Sequence, residues 1–339
     1  MNNNDMKKVA IRAAIFTVVS IGLMLERSAT KHIMITDAQE ERIDRETASD
    51  SYSLLIDKNV SDADKGKLII PLPKSVSSDN IEVEDRYIDQ ELLVYIDSRE
   101  EGFYMDTAVS CDLDILESAV CYAQNDSGKV CLDFKVDSLY ATECSLTENS
   151  TIEVTFMEPK ERYSNVVVVD IDNESDACLD VAKEIKALCD KDTENSVKIY
   201  FAGLDGSNPS IEKRIRLIEE SSADFAITLS TEKSTNVLNN GVCGYYNDQF
   251  FIRRMTNARL ADIFLVDSSS KASCQVVGLF PMKEGDTLLE TSTIPTAKIC
   301  IGYTTGNVDR DNLLDGGYKK KLAEGIYQAI LDALLEMKQ

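Results

Sequence analysis

Hydrophobic residues recur along this chain in three successive rhythms, and each rhythm predicts a different kind of element. The first is a continuous run. Val9 to Leu25 is interrupted by a single charge, Arg12, with Lys7 and Lys8 before it and Glu26 and Arg27 after it. Ala13 to Leu25 alone has the length of a signal-peptide core. Counted from Val9, with Arg12 reaching back to the interface, the run is about 17 residues, the lower limit for a spanning helix. No small-x-small cleavage site follows, so residues 1–32 are expected to form an uncleaved signal anchor in the cell membrane. A removed signal peptide and a buried soluble helix are the alternatives. Lysines ahead of the run keep the N-terminus inside and put the main part of the chain in the extracytoplasmic space, tethered or, if cleaved, secreted.

Residues 33–64 are rich in Asp, Glu, Ser and Lys with little periodicity. An acidic linker is expected there, lifting the folded part off the membrane. Over residues 65–159 the second rhythm has period two. Val130, Leu132, Phe134 and Val136 alternate with Cys131, Asp133, Lys135 and Asp137, and Ile152, Val154 and Phe156 alternate with Glu153, Thr155 and Met157. Such alternation predicts half-buried strands. Leu68-Ile69-Ile70 and Leu92 to Ile96 add further strands, and Asn125-Asp126-Ser127-Gly128 and Thr147-Glu148-Asn149-Ser150 supply turns. Together these predict a small antiparallel β domain.

The third rhythm, over residues 160–339, alternates strand and helix. Asn165 to Asp170 contains four consecutive valines and reads as a buried parallel strand. Cys178, Val181, Ala182, Ile185, Leu188 and Cys189 form a helical stripe. Val197 to Ala202 is the second strand. Asn208-Pro209 then offers an N-cap and a first-turn proline to a helix carrying Ile211, Ile215 and Ile218. Phe225 to Leu229, Val242 to Tyr246 and Ala297 to Ile301 are the remaining strands. Tyr318 to Met337 closes the chain as a helix with Leu322, Ala323, Ile326, Tyr327, Ile330, Leu331 and Leu334 on one face. The expected fold is α/β, a mixed sheet flanked by helices.

At 339 residues and 43% hydrophobic content the chain is long enough for two domains with cores of their own. Its formal net charge of −23 excludes a nucleic-acid partner, because a polyanion would meet a field of its own sign. The acidic excess reads as a solvated surface. Nine cysteines form no CxxC and no Cys/His cluster, and an odd number leaves at least one unpaired. Cys131 falls on the polar side of its strand pattern and Cys178 and Cys189 on the apolar side of theirs, so most cysteines are expected to act as small packing residues.

Over residues 165 to 335 the order of elements and several local phrases resemble the catalytic domain of the zinc-dependent N-acetylmuramoyl-L-alanine amidases of the cell wall. The phrases are Asn208-Pro209-Ser210-Ile211-Glu212-Lys213-Arg214, Ala223 to Leu229, Ile301-Gly302-Tyr303 with Asn307, Asp309, Leu313 and Leu314, and Tyr318 to Ala323 with Gly325-Ile326. The preceding β region is similar, more loosely, to the small cell-wall-binding domains that often precede such amidases. The resemblance implies a zinc held by two histidines and a glutamate, with an open position for water and a second glutamate as general base.

Residue by residue, that implied site is largely emptied. Asn173 stands at the first histidine position, after Asp170-Ile171-Asp172, and the glycine-rich loop that normally follows is missing. Glu174 matches the ligand glutamate and is the one ligand retained. Ser230, followed by Thr231 and Glu232, stands at the second histidine position, and Cys300 stands at the general-base position. The only histidine, His32, lies more than a hundred residues away in sequence. One carboxylate cannot hold a catalytic zinc, so no cofactor is expected. A rescued zinc site would need Glu174 and Cys300 with Glu232 or Asp172. A cysteine nucleophile at Cys300 has no histidine to activate it. Arg214, Arg216, Arg253 and Arg254 are candidates for an anionic glycan or peptide carboxylate, or simply solvated charges.

Three functions remain open. The first is a non-catalytic pseudoenzyme that binds peptidoglycan or an envelope partner. The second is an active hydrolase of the muramoyl-L-alanine amide bond with an unusual metal site. The third is a structural envelope protein of a division or sporulation complex.

Overall fold

The computed structural model describes residues 31–32, 35–37, 48–98, 100, 102–124, 129–172, 175–194, 196–249 and 255–338. The apolar segment expected to be an anchor lies outside the described residues, as do Asn173, Glu174, Arg253 and Arg254. Among the described residues no helix is long and apolar enough to cross a membrane. The chain divides into two units, Met1–Arg86 with Gln90–Phe156, and Tyr87–Asp89 with Met157–Gln339.

Among the described residues the first unit contains twelve strands. They are β1 (Lys31–His32), β2 (Ile35–Asp37), β3 (Asp50–Ser53), β4 (Ile56–Asp57), β5 (Lys67–Pro71) and β6 (Ile81–Arg86), followed by β7 (Glu91–Asp97), β8 (Val109–Cys111), β9 (Leu116–Gln124), β10 (Lys129–Val136), β11 (Ala141–Leu146) and β12 (Thr151–Met157). They form two sheets, in the orders β1-β11-β12-β5-β8-β4 and β2-β6-β7-β10-β9-β3. Leu68, Ile70, Ile152 and Val154 of the first sheet share one core with Val83, Leu92, Val94, Leu132 and Phe134 of the second. The alternating positions are the ones that meet in this core, because successive side chains of a strand point to opposite faces.

Two expectations are corrected here. The stretch 33–64, expected as a linker, contributes strands to both sheets: β2 pairs with β6, β3 with β9 and β4 with β8. These strands are too short to show periodicity and are held by backbone hydrogen bonds to their neighbours; Tyr52, Ile56 and the intervening Leu54 reach the core. Cys131, expected on a polar face, is buried with Leu93, Tyr95 and Tyr122. A strand in the middle of a six-stranded sheet can be covered on both faces, which alternation alone does not reveal.

The second unit is built on one six-stranded sheet of β13 (Asn165–Ile171), β14 (Val197–Ala202), β15 (Phe225–Glu232), β16 (Val242–Tyr246), β17 (Val276–Pro281) and β18 (Thr296–Tyr303), in the order β14-β13-β15-β18-β16-β17. The first four strands in that order run parallel, β16 is antiparallel to β18, and β17 is parallel to β16. The valine run of β13 is buried throughout, as a central strand between parallel neighbours requires. On one face Val167, Val169, Ile227, Leu229, Ile299 and Ile301 pack with the helices Asp176–Lys191, Asn257–Ala272 and Gly316–Met337. The sheet is mixed and flanked by helices, as expected.

The Asn257–Ala272 helix and β17 were not legible in the sequence. That helix buries residues on several sides, Leu260, Ala261, Ile263, Phe264 and Leu265 among them, so its apolar positions make no clean stripe. The N-cap of the helix Ile211–Glu220 is Ser210, whose hydroxyl accepts from the Lys213 amide, and not the expected Asn208. Pro209 biases the residue before it towards extended backbone, which moves the cap past the proline. Asn208 instead accepts a hydrogen bond from Arg214.

Candidate functional site

The second face of this sheet is polar along its carboxyl edge, and side-chain alternation places the polar residues in two rows. Asp170 of β13, Thr228 of β15, Lys298 of β18 and Tyr245 of β16 are register partners across the strands. Two residues further along, Ser230, Cys300 and Cys243 form the next row. Their sheet neighbours Ile171, Leu229 and Ile301 face the opposite way, into the apolar core.

Asp170 is nearly excluded from solvent and meets the Arg214 guanidinium at 2.6 Å and the Thr228 hydroxyl at 3.1 Å. Burial pushes its carboxyl up to about 6, with Arg214 and Thr228 opposing that rise. Desolvation outweighs the ion pair because both partners have left water. Arg214 also donates to the Pro209 carbonyl at 2.9 Å, so its donors are shared between the strand and its own helix entry.

Ser230 is fully buried, and its hydroxyl has no hydrogen-bond partner among the described residues. Cys300 and Cys243 are fully buried and cluster with Tyr303, with Tyr245 and Val277 packed against them. The Cys300 thiol donates to the Gly302 carbonyl at 3.3 Å, and the Tyr303 hydroxyl donates to the Cys243 sulfur at 3.6 Å. The neighbouring Cys300 thiol, with the Tyr303 hydroxyl, pulls the Cys243 thiol down against the effect of burial. The same interaction with Cys243, together with burial, pushes Cys300 well up. At the rim Glu232 pairs with Lys283 at 2.6 Å, and the Lys283 ammonium stands 4.6 Å from the centre of the Tyr245 ring.

Asp309 closes this edge from the other side. Its buried carboxylate accepts from the Gly241 amide at 2.7 Å and the Tyr303 amide at 2.8 Å, tying the entry of β16 to the exit of β18.

Of the residues singled out in the sequence, Ser230 and Cys300 are therefore neighbours, with Glu232 close along the same strand as Ser230. Arg214 is committed to Asp170, and Arg216 donates to the Ile88 carbonyl at 2.9 Å. His32 belongs to the first unit, in β1. Sequence reasoning gave Asp170 and Asp309 no role at this site and missed Cys243. Asp170 had a signal, an acidic residue ending a four-valine strand. Cys243 had none, because its pairing with Cys300 depends on β16 entering the sheet antiparallel.

These side chains do not suit the zinc that the amidase resemblance implies. A buried serine hydroxyl is a neutral, weak donor, and Cys300 holds its proton more tightly than a free thiol, whereas a zinc ligand must be deprotonated. Glu232, one of the two alternatives for completing a rescued site, is engaged with Lys283. Among the described residues no group of three His, Cys, Asp or Glu side chains is placed to hold a metal ion. No metal chemistry is assigned to them. A cavity of about 220 Å³ in this unit is lined by Ile215, Ile218, Leu288 and Ile294 with Thr291 and Thr293, none of them a position the resemblance assigns.

Residues 164–332 match the family model described as N-acetylmuramoyl-L-alanine amidase. No curated protein matches the chain. Among solved structures the chain is similar to N-acetylmuramoyl-L-alanine amidase AmiC2 of Nostoc punctiforme, with 19% identity, 50% of this chain and 97% of that chain covered, and a TM-score of 0.44. It is similar too to the catalytic domain of the amidase CwlV from Bacillus (Paenibacillus) polymyxa var. colistinus, at 16% identity, 50% and 98% coverage and a TM-score of 0.44. An N-acetylmuramoyl-L-alanine amidase from Clostridium difficile 630 gives 19% identity, 50% and 96% coverage and the same TM-score of 0.44. The α/β unit of this chain, over residues 164–332, is a domain of the N-acetylmuramoyl-L-alanine amidase family.

Proposed function

We propose that this chain is a membrane-tethered, extracytoplasmic protein whose amidase-family domain binds peptidoglycan without cleaving it. The observation that carries this reading is the pair of side chains at the sheet's carboxyl edge. Ser230 stands where the resemblance calls for a metal-binding imidazole and Cys300 where it calls for a general base, and both are buried. A hydroxyl cannot replace the imidazole as a zinc ligand, and a thiol with a raised pKa is a poor base near neutrality. With His32 the only histidine in the chain, no second imidazole is available from elsewhere. The family fold is compatible with retained recognition of wall fragments, since fold and catalysis are separable properties. Tethering rests on the Lys7 to Arg27 segment and export on the lysines that precede it.

Sedimentation with purified peptidoglycan tests the binding. The full-length chain, purified in detergent, is expected to pellet with insoluble peptidoglycan and to be released by soluble muropeptides. Protein that stays in the supernatant at every peptidoglycan concentration contradicts the proposal. An envelope protein recovered from the same cells as the sole binding partner would replace it with the structural role.

A further inference from the structure

The buried row Ser230, Cys300, Cys243 places two thiols side by side, and the amidase-family reading leaves one of them, Cys243, without a role. Cys243 of β16 and Cys300 of β18 are direct register partners in an antiparallel pair. Opposed residues in such a pair stand about 4.5 or about 5.5 Å apart at Cα, depending on the hydrogen-bonding position, and both separations lie within the range a disulfide spans. Their side chains leave the sheet on the same face and close into one small cluster with Tyr303.

We propose that Cys243 and Cys300 are a thiol–disulfide modification site, oxidised to an intramolecular disulfide by a low-molecular-weight or protein disulfide. This goes beyond wall binding and does not depend on it. The Cys243 thiolate attacks one sulfur of the external disulfide, forming a mixed disulfide and releasing one thiolate. Cys300, deprotonated, then attacks the Cys243 sulfur, forming the Cys243–Cys300 bond and releasing the second thiolate. The protein loses two electrons and two protons, and the external disulfide is reduced to two thiols. The order of attack follows from the surroundings. Tyr303 donates to the Cys243 sulfur, whereas Cys300 is a donor to Gly302, so negative charge is stabilised first on Cys243.

Both thiols are buried, so the external disulfide reaches them only when the edge of the sheet opens. Oxidation is therefore slow in water and accelerated by urea below the unfolding transition. The product staples β16 to β18, next to the edge strand β17. A cross-link between residues this far apart in sequence restricts the unfolded chain more than the folded one.

The test uses the full-length protein equilibrated in mixtures of oxidised and reduced glutathione, then alkylated under denaturing conditions and digested. The expected result is one cross-linked pair of peptides containing Cys243 and Cys300, a mass lower by two hydrogens, and a higher urea midpoint for the oxidised form. Dithiothreitol should reverse all three. Cys243→Ala and Cys300→Ala should each abolish the cross-link, and a double variant serves as the folding control. Full alkylation of both residues after equilibration with oxidised glutathione overturns the proposal. So does a cross-link involving a different pair, or glutathione adducts that never resolve. Peptidoglycan sedimentation measured in parallel separates this outcome from failure of wall binding.

Discussion

Asp170 keeps its ion pair with Arg214 at the expense of its hydration, and that balance is measurable. Its carboxyl is raised from 3.8 to about 6 in the folded protein, so the folded chain holds a proton there that the unfolded chain has already released. Stability from this group is fully present below the unfolded value and is lost as pH rises through the folded one. Urea unfolding should therefore show stability falling by about 3 kcal/mol between roughly pH 4 and 6, and Asp170→Asn should flatten that slope. A wild-type slope of the opposite sign would show that Arg214 outweighs desolvation. Arg214→Ala strands the carboxylate and is expected to destabilise the chain at pH 7 by about 3 kcal/mol or more. Ser230 behaves differently. Its buried hydroxyl lacks a partner among the described residues, so Ser230→Ala should be neutral or stabilising by up to about 1 kcal/mol, read from the urea midpoint. A clear loss of stability would reveal a hydrogen bond that the described residues do not supply.

Two helices of the α/β unit approach closely enough for a glycine to be required between them. A Cβ added at Gly325 would lie 2.7 Å from Ser268 Cα and 2.8 Å from the Asp267 carbonyl oxygen, where the Gly316–Met337 and Asn257–Ala272 helices cross. In an exposed helix Gly→Ala gains about 1 kcal/mol of propensity. Here overpacking against a backbone should reverse the sign, so Gly325→Ala is expected to lower stability by about 1–3 kcal/mol in thermal or urea unfolding. An unchanged or raised midpoint would mean that the helices separate easily. The same crossing explains what the sequence did not reveal. The terminal helix was legible from its stripe of Leu322, Ile326, Ile330 and Leu334. Its partner was not, because buried Asn257 and Ser268 interrupt its apolar face and exposed Val266 interrupts its polar one. Likewise β10 was legible from Leu132 and Phe134, while β2 and β4 are two or three residues long and owe their place to partners far along the chain. Ser230 and Cys300 could be placed by resemblance, but Cys243 could not, since nothing local in Val242-Cys243-Gly244 announces an antiparallel strand.

At the scale of the whole molecule, a chain carrying −23 formal charges joins a two-sheet β unit to an amidase-family domain. Under the proposed wall binding, that charge would confine recognition to short-range contacts, because it repels anionic wall polymers at low ionic strength and is screened over about 8 Å in physiological salt. Sedimentation with peptidoglycan should accordingly strengthen as salt is raised from low to physiological levels; binding that weakens steadily with salt would point to a cationic patch as the contact surface. The account's central claim concerns chemistry, and amide hydrolysis measured with metal content tests it most directly. Full-length protein supplied with zinc and incubated with purified peptidoglycan is expected to release no stem peptide and to retain no stoichiometric zinc after gel filtration. Release of peptides beginning with L-alanine, by protein carrying one zinc per chain, would contradict the account.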